Sequence, residues 1–349
     1  MRTVLTTVGT SLMNNLRSHR KLDREYIPSL EELIQYLSEA PIEKASAETN
    51  SLLRLLQEGD KIVFLRSETD EGRLCTEALA HYYRHQGYAC TVEEVPNLRY
   101  DERQFKTRGL RALAATMAKV VRQHKQQGQQ VIINATGGFK AEIAYAVLIG
   151  QLFDVPVYYI HEMFRDIIEI PPLPIQWDFS LLVNYEDFFE WIEADLRTAQ
   201  EAHSRLQGLP EAIHSLLTEE EGYVMLSPAG EAFLEAYHYE LSLPGQPVMF
   251  SSRARRYYES LAPNLQEGFN QLIERLARAN LRSNNIEPMR DSDLLVYPRG
   301  HRDERIVFYE QDGVLYICEL ARHSDQSYER LYRQSLHRQD YSEFEPRQS

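Results

Sequence analysis

The stretch "QVIINATGGFKAEIAYA", residues 130–146, changes its pattern half-way along. "QVIINAT" (130–136) holds an apolar, β-branched run and reads as a buried strand. From Lys140 onward the composition is that of a helix. Between them stand Gly137 and Gly138. These glycines let the backbone approach a ligand closely, and the first helical turn offers unpaired N–H groups to an anion. Lys140 adds a full positive charge, and the combination suits a phosphodiester. An ordinary glycine-rich turn with a solvated lysine is the plainer alternative. The pattern is neither Gly-x-Gly-x-x-Gly nor a P-loop, so it does not support a dinucleotide cofactor or ATP.

Strand–helix alternation extends on both sides of this unit. "RTVLTTV" (2–8), "KIVFLRS" (61–67), "CTVEEV" (90–95) and "VPVYYIH" (155–161) read as strands with helical stretches between them. That order predicts an α/β domain with a mostly parallel sheet, ending near residue 178 after "EIPPLPIQWD". Such sheets bind ligands at the carboxyl ends of their strands. After the first strand comes "VGTSLMNN", where Gly9 permits a tight turn and Thr10, Ser11 and Asn14 supply short polar groups.

The remaining sequence divides again. Residues 179–247 read as a mainly helical, acidic, winged-helix-like connector or dimerisation domain whose end, "VMLSPAGEAFLEAY", is similar to the end of a winged helix-turn-helix. "LSLPGQPV" (241–248) reads as a linker. Residues 248–349 read as a small α+β domain: helices, then strands at 293–298, 304–310 and 314–320, then a last helix over 326–338. "QDG" (311–313) is a hairpin turn.

Charge limits the partners. The formal net charge of -14 opposes broad binding to nucleic acid. Residues 180–247 hold 2 arginines against 13 carboxylates, which would repel DNA phosphates. Residues 248–349 hold 15 arginines against 16 carboxylates, and no lysine follows Lys140. The three scattered cysteines fit a reducing cytosol, and no apolar run reads as a signal peptide or membrane span. A cytoplasmic, membrane-free protein is expected.

"TTVGTSL" (6–12) together with "NATGGFKAE" (134–142) resembles the CARF domain of CRISPR-associated effectors, over roughly residues 1–178. That resemblance implies a Rossmann-like homodimer that binds cyclic oligoadenylate, most often the tetra-adenylate, as an allosteric activator. It implies that Thr10, Ser11, Gly137, Gly138, Phe139 and Lys140 line the ligand site, with Asn14 beside them. Ser11 and Lys140 could also assist cleavage of the ring.

The arginine-rich end admits three nuclease readings. A PD-(D/E)xK enzyme needs a lysine where "CELAR" has alanine. A HEPN ribonuclease needs Arg-x(4–6)-His on one helix, and Arg330 with His337 has that spacing. "ERIVFYEQDGVLYICELARHSDQSYERL" resembles the strand–turn–strand–helix end of RelE-type mRNA interferases. That resemblance implies metal-independent cleavage of mRNA on the ribosome. Arg299, Arg305 and Arg322 would clamp phosphate, His323 would serve as acid or base, and Tyr328 would stack or assist proton transfer. Arg290 and His301 are second candidates. The whole reading is a sensor (1–178), a connector (179–247) and a ribonuclease (248–349), with no metal or cofactor. Ribosomal stalk proteins are an expected docking point for the acidic connector. A DNA-binding regulator acting through 179–247 and a ribosome-independent HEPN-like ribonuclease are the alternatives.

Overall fold

The computed structural model describes residues 2–99, 101, 105–161, 164, 166–300 and 302–347. Their contacts form two compact bodies. One runs to Ile175 and takes in Ile192–Ala236; the other joins Gln176–Trp191 to the chain from Tyr237 onward.

The first body is built on β1 (Arg2–Val8), whose Val4 and Leu5 are fully buried. Each such aliphatic side chain contributes about 1.5–3 kcal/mol on burial. Helix α1 (Ser11–Arg20) follows directly and buries Leu12, Met13 and Leu16. Next come α2 (Leu30–Glu39), with a capping box between Ser29 and Glu32, then α3 (Ile42–Ala45) and α4 (Ala47–Leu55), whose box joins Ser46 to Thr49. Strand β2 (Lys61–Ser67) leads to α5 (Asp70–His85), capped by Thr69, and then to β3 (Ala89–Val95). Helix α6 (Leu110–Gln126), β4 (Gln130–Asn134), α7 (Lys140–Leu152), β5 (Val157–Tyr159) and β6 (Ile168–Ile170) complete it.

The sheet order is β3-β2-β1-β4-β5-β6. All neighbours are parallel except β5 and β6. The chain winds outward from β1 through β2 and β3, then returns to start the other half at β4. The carboxyl ends of β1 and β4 therefore flank the point where winding reverses, which is where such sheets hold ligands. The expected α/β class forms, and both singled-out turns sit at that point.

Two helices, α8 (Ser180–Asn184) and α9 (Glu186–Ala194), come next in the chain. Then β7 (Arg197–Thr198), α10 (Ala199–Leu206), a 3-10 turn (Glu211–Leu216), β8 (Leu217–Glu220), β9 (Tyr223–Leu226) and α11 (Pro228–Ser242) follow. The strands form a small sheet, β7-β9-β8. The mainly helical reading of this stretch thus missed a hairpin, which turns at Glu221 and Gly222, both with positive φ.

Residues 179–247 are shared between the two bodies. Glu186 is why its start joins the second body: it is buried, pairs with Arg275, lies 3.7 Å from Arg302 and accepts from Tyr237 at 3.2 Å. The start of α11 joins the first body through Arg111 Nε and Glu231, 2.6 Å apart.

The second body continues with β10 (Val248–Ser251), α12 (Ser252–Glu259), α13 (Pro263–Leu276), α14 (Ala279–Arg282), β11 (Glu287–Pro288) and β12 (Leu295–Tyr297). Then come β13 (Glu304–Gln311), β14 (Val314–Arg322), α15 (Ser327–Tyr332) and β15 (Phe344–Pro346). The order is β11-β12-β13-β14-β10-β15, with only β10 and β14 parallel. Asp312 and Gly313, both at positive φ, make the expected hairpin turn. The last helix stops at Tyr332, short of the expected 338. Among the described residues no helix is long and apolar enough to cross a membrane.

Candidate functional site

The turns after β1 and β4 touch. A Cβ placed on Gly9 would lie 2.8 Å from the Gly138 nitrogen, and Thr7 Oγ1 donates to the Gly137 carbonyl at 2.6 Å. Beneath them sits Glu48 of α4, fully buried. Its carboxylate accepts from the Gly9 N–H at 2.8 Å and from Ser11 Oγ at 3.0 Å. A Cβ on Gly137 would strike Glu48 Oε1 and lie 2.5 Å from the Thr7 carbonyl. On Gly138, at φ 93, it would strike the Glu142 carboxylate. The glycines thus make room for two buried acids and for each other, a demand that precedes any approach to a ligand.

Glu142 is the third residue of α7 and reaches back to the Phe139 backbone N–H, half of a capping box. Burial pushes its carboxyl up to about 7; the Phe139 N–H opposes this and the charge of Glu48 adds to it. Sequence reading singled out neither acid. Glu142 was within reach, because an acid three residues after a helix start is a capping signal.

Thr10, Ser11, Asn14, Gly137, Gly138 and Phe139 all line a cavity of about 270 Å³ at these turns. Lys140 lines a cavity of about 600 Å³ that shares Ser11, Ala47, Thr136 and Gly138 with the first. Lys44, Tyr159 and His161 also face the larger one. All seven expected ligand residues therefore meet in one continuous depression, together with a second lysine that sequence reading missed. A separate cavity of about 640 Å³ is lined by Glu193, Asp195, Glu220, Glu221 and Glu231 against Arg108 and Arg111. It is larger than either of those cavities taken singly, but its excess of carboxylates suits a cation rather than a phosphodiester.

The second body brings four of its five candidates to neighbouring positions. Arg305 is buried, and its guanidinium donates to the carbonyls of Glu304 (2.8 Å), Arg302 (2.5 Å) and Gly300. It lies over the Tyr328 ring, 5.7 Å from the centroid. Tyr328 is buried too, and the His323 ring meets it edge-on at 4.7 Å. His323 Nδ1 lies 2.7 Å from Glu329 Oε1. The hydrogen bond from His323 holds the Glu329 carboxyl below its usual range. Because a carboxylate only accepts, Nδ1 carries the proton and Nε2 is left for acid–base work. Arg322 Nε and Nη2 both reach Asp303 Oδ2 at 2.7 Å. Burial pushes the Asp303 carboxyl up, but donors from Ser324 and Arg322 outweigh it and hold it down. Arg299 is exposed, and its backbone is anchored to Asn285 and Asn184. Arg290 is exposed beside Asp291, and His301 lies outside the described residues. Arg330 and His337 do not share a helix, since α15 ends at Tyr332.

Fold and site together define a doubly wound α/β domain with a polar cleft at its switch point. Residues 43–173 match the family described as CRISPR-associated protein (Cas_APE2256), a stretch that includes Glu48 and the Gly137–Lys140 turn. Among solved structures the chain is similar to protein VC1899 from Vibrio cholerae, at 10% identity and a TM-score of 0.26, covering 92% of this chain and 77% of that one. It is also similar to Can2 from Sulfobacillus thermosulfidooxidans in complex with cyclic tetra-adenylate, at 12% identity and 0.27, covering 92% and 75%.

Proposed function

We propose that this protein is a CRISPR-associated sensor–effector: a CARF-type domain binds cyclic oligoadenylate and switches on a metal-independent, ribosome-dependent RelE-type endoribonuclease. The observation that carries the sensor half is the meeting of two turns, about 130 residues apart in sequence, in one cleft at the switch point. The family match over residues 43–173 supports the CRISPR setting. Lys44 and Lys140, both exposed on that cleft, supply the positive charge a phosphodiester ring requires. A homodimer would present two such clefts to one ring, whose own two-fold axis matches that of the pair.

The effector half rests on Arg305, Arg322, His323 and Tyr328 coming together beside β13 and β14. Attack by a ribose 2′-OH on the adjacent phosphate needs a base, charge stabilisation on the phosphorane and an acid for the leaving 5′-oxygen. His323, held by Glu329, supplies acid–base capacity. Arg299 and Arg322 bind phosphate, and Arg305 braces the loop that carries Arg299. The acidic hairpin at 217–226 seeks a basic protein surface, for which we name the ribosomal stalk, in the cytoplasm. Its carboxylates disfavour the DNA-binding alternative.

Calorimetry with cyclic tetra-adenylate tests the sensor. One ring per dimer is expected, with Lys140→Ala weaker by ~1.5–3 kcal/mol, the contribution of a charge-assisted contact. Two rings per dimer, or unchanged affinity in Lys140→Ala, would remove this arrangement.

A further inference from the structure

Two hydroxyl groups at the floor of the cleft have their protons already assigned. Ser11 Oγ donates to Glu48 Oε2 at 3.0 Å and accepts from the Ala47 N–H at 3.0 Å. Thr136 Oγ1, on the opposite turn, donates to Asn134 Oδ1 at 2.8 Å and accepts from the Ile160 N–H at 3.2 Å. Both directions are fixed by the partners. The Glu48 carboxylate also receives the Gly9 N–H, so it acts as an acceptor. The Asn134 amide nitrogen donates to Ser51 Oγ at 2.8 Å, and Ser51 in turn donates to the Ala47 and Glu48 carbonyls. That leaves the Asn134 oxygen facing Thr136.

A hydroxyl has one proton and two lone pairs. Each of these two therefore has one lone pair left, and both line both cavities. A lone pair repels a phosphate oxygen and attracts a donor. We infer that Ser11 and Thr136 are specificity-determining residues that accept hydrogen bonds from the ligand's own O–H or N–H groups, while its phosphates go to Lys44 and Lys140. This inference rests on the sensor reading and refines it: the ligand is recognised as a donor-bearing nucleotide, through a ribose hydroxyl or a base amine. Glu48 is a positioning residue in this arrangement, since it turns the Ser11 proton away from the cleft.

Calorimetry of the full-length protein with three rings separates the sources: cyclic tetra-adenylate, its 2′-deoxy counterpart, which lacks the hydroxyls, and cyclic tetra-inosinate, which lacks the exocyclic amines. The wild type should lose about tenfold or more affinity for one of the two analogues, the upper end of one neutral hydrogen bond per contact. Where Ser11 takes that group, Ser11→Ala should lose affinity for the parent ring, by no more than the analogue loses in the wild type, and should lose nothing further on the analogue itself. Thr136→Val, on the other turn, repeats the test where Ser11→Ala disturbs Glu48. Equal wild-type affinity for all three rings overturns the inference while leaving the sensor reading intact. So does an equal loss on every ring in both variants, which marks a scaffold role. Failure of the wild type to bind any of the three defeats the sensor reading, and the inference with it.

Discussion

Glu142 should make the first body lose stability as pH rises. Its carboxyl moves from about 4.3 in an unfolded chain to about 7 in the folded one. Between those values the folded state holds a proton that the unfolded state has released. Stability therefore falls as pH climbs through this window, and the group's favourable contribution is fully present only below the unfolded value. At 1.36 kcal/mol for each tenfold change, the loss over the whole window is about 3.7 kcal/mol. Glu142→Gln keeps an acceptor for the Phe139 N–H and abolishes the titration. Hydrogen exchange at the β1 and β4 amides, measured on both proteins at each pH so that intrinsic exchange cancels, isolates this contribution. Between pH 5 and 8 the wild type should lose about 2.6 kcal/mol of this relative to Glu142→Gln. A difference that stays constant with pH would show that Glu142 does not titrate there.

Gly137→Ala drives a methyl into Glu48 and the Thr7 carbonyl, so overpacking should cost ~1–3 kcal/mol and ring binding should fall with it. Native stability and affinity in the alanine variant would refute the close approach of the two turns. Arg305→Ala strips donors from three carbonyls of the 300–304 loop and should destabilise the second body by about 2–4 kcal/mol. Fluorescence of Trp177 and Trp191, both in that body, reads its unfolding. In the folded fraction RNA cleavage should drop by about 10²-fold, the cost of misplacing the loop that carries Arg299, and near-wild-type cutting would exclude that bracing role. Reversing Glu219, Glu220 and Glu221 to Lys should abolish ribosome co-sedimentation at low salt. Unchanged binding, or equal action on ribosomes stripped of the stalk, would end the docking proposal.

Strands β1 and β4 and the glycines behind them were legible because dense β-branched runs stop abruptly at residues that only a tight turn needs. Glu48 was not. It lies 39 positions from Gly9, and only the packing of α4 against β1 brings it beneath the turn. Strands β10 and β15, of four and three residues, were hidden by their turn-rich surroundings, since such short runs carry almost no periodic signal. The hairpin at 217–226 was masked by Glu219–Glu221, whose charge resembles a solvated helix face until the positive φ values at Glu221 and Gly222 are known. At the ribonuclease end the sequence indicated Arg305, Arg322, His323 and Tyr328. It could not indicate that Arg305 turns inward to backbone carbonyls, or that Asp303 takes Arg322 and Glu329 takes His323.

Cell-free translation with and without cyclic tetra-adenylate, followed by mapping of mRNA ends, tests the coupling of sensor to ribonuclease most directly. Addition of the ring should stop translation and create new ends within ribosome-bound messages, carrying a 2′,3′-cyclic or 3′-phosphate. Lys140→Ala should require more ring for the same effect. Cleavage that is independent of the ring, that occurs equally on naked RNA, or that is absent while the ring binds, would contradict it.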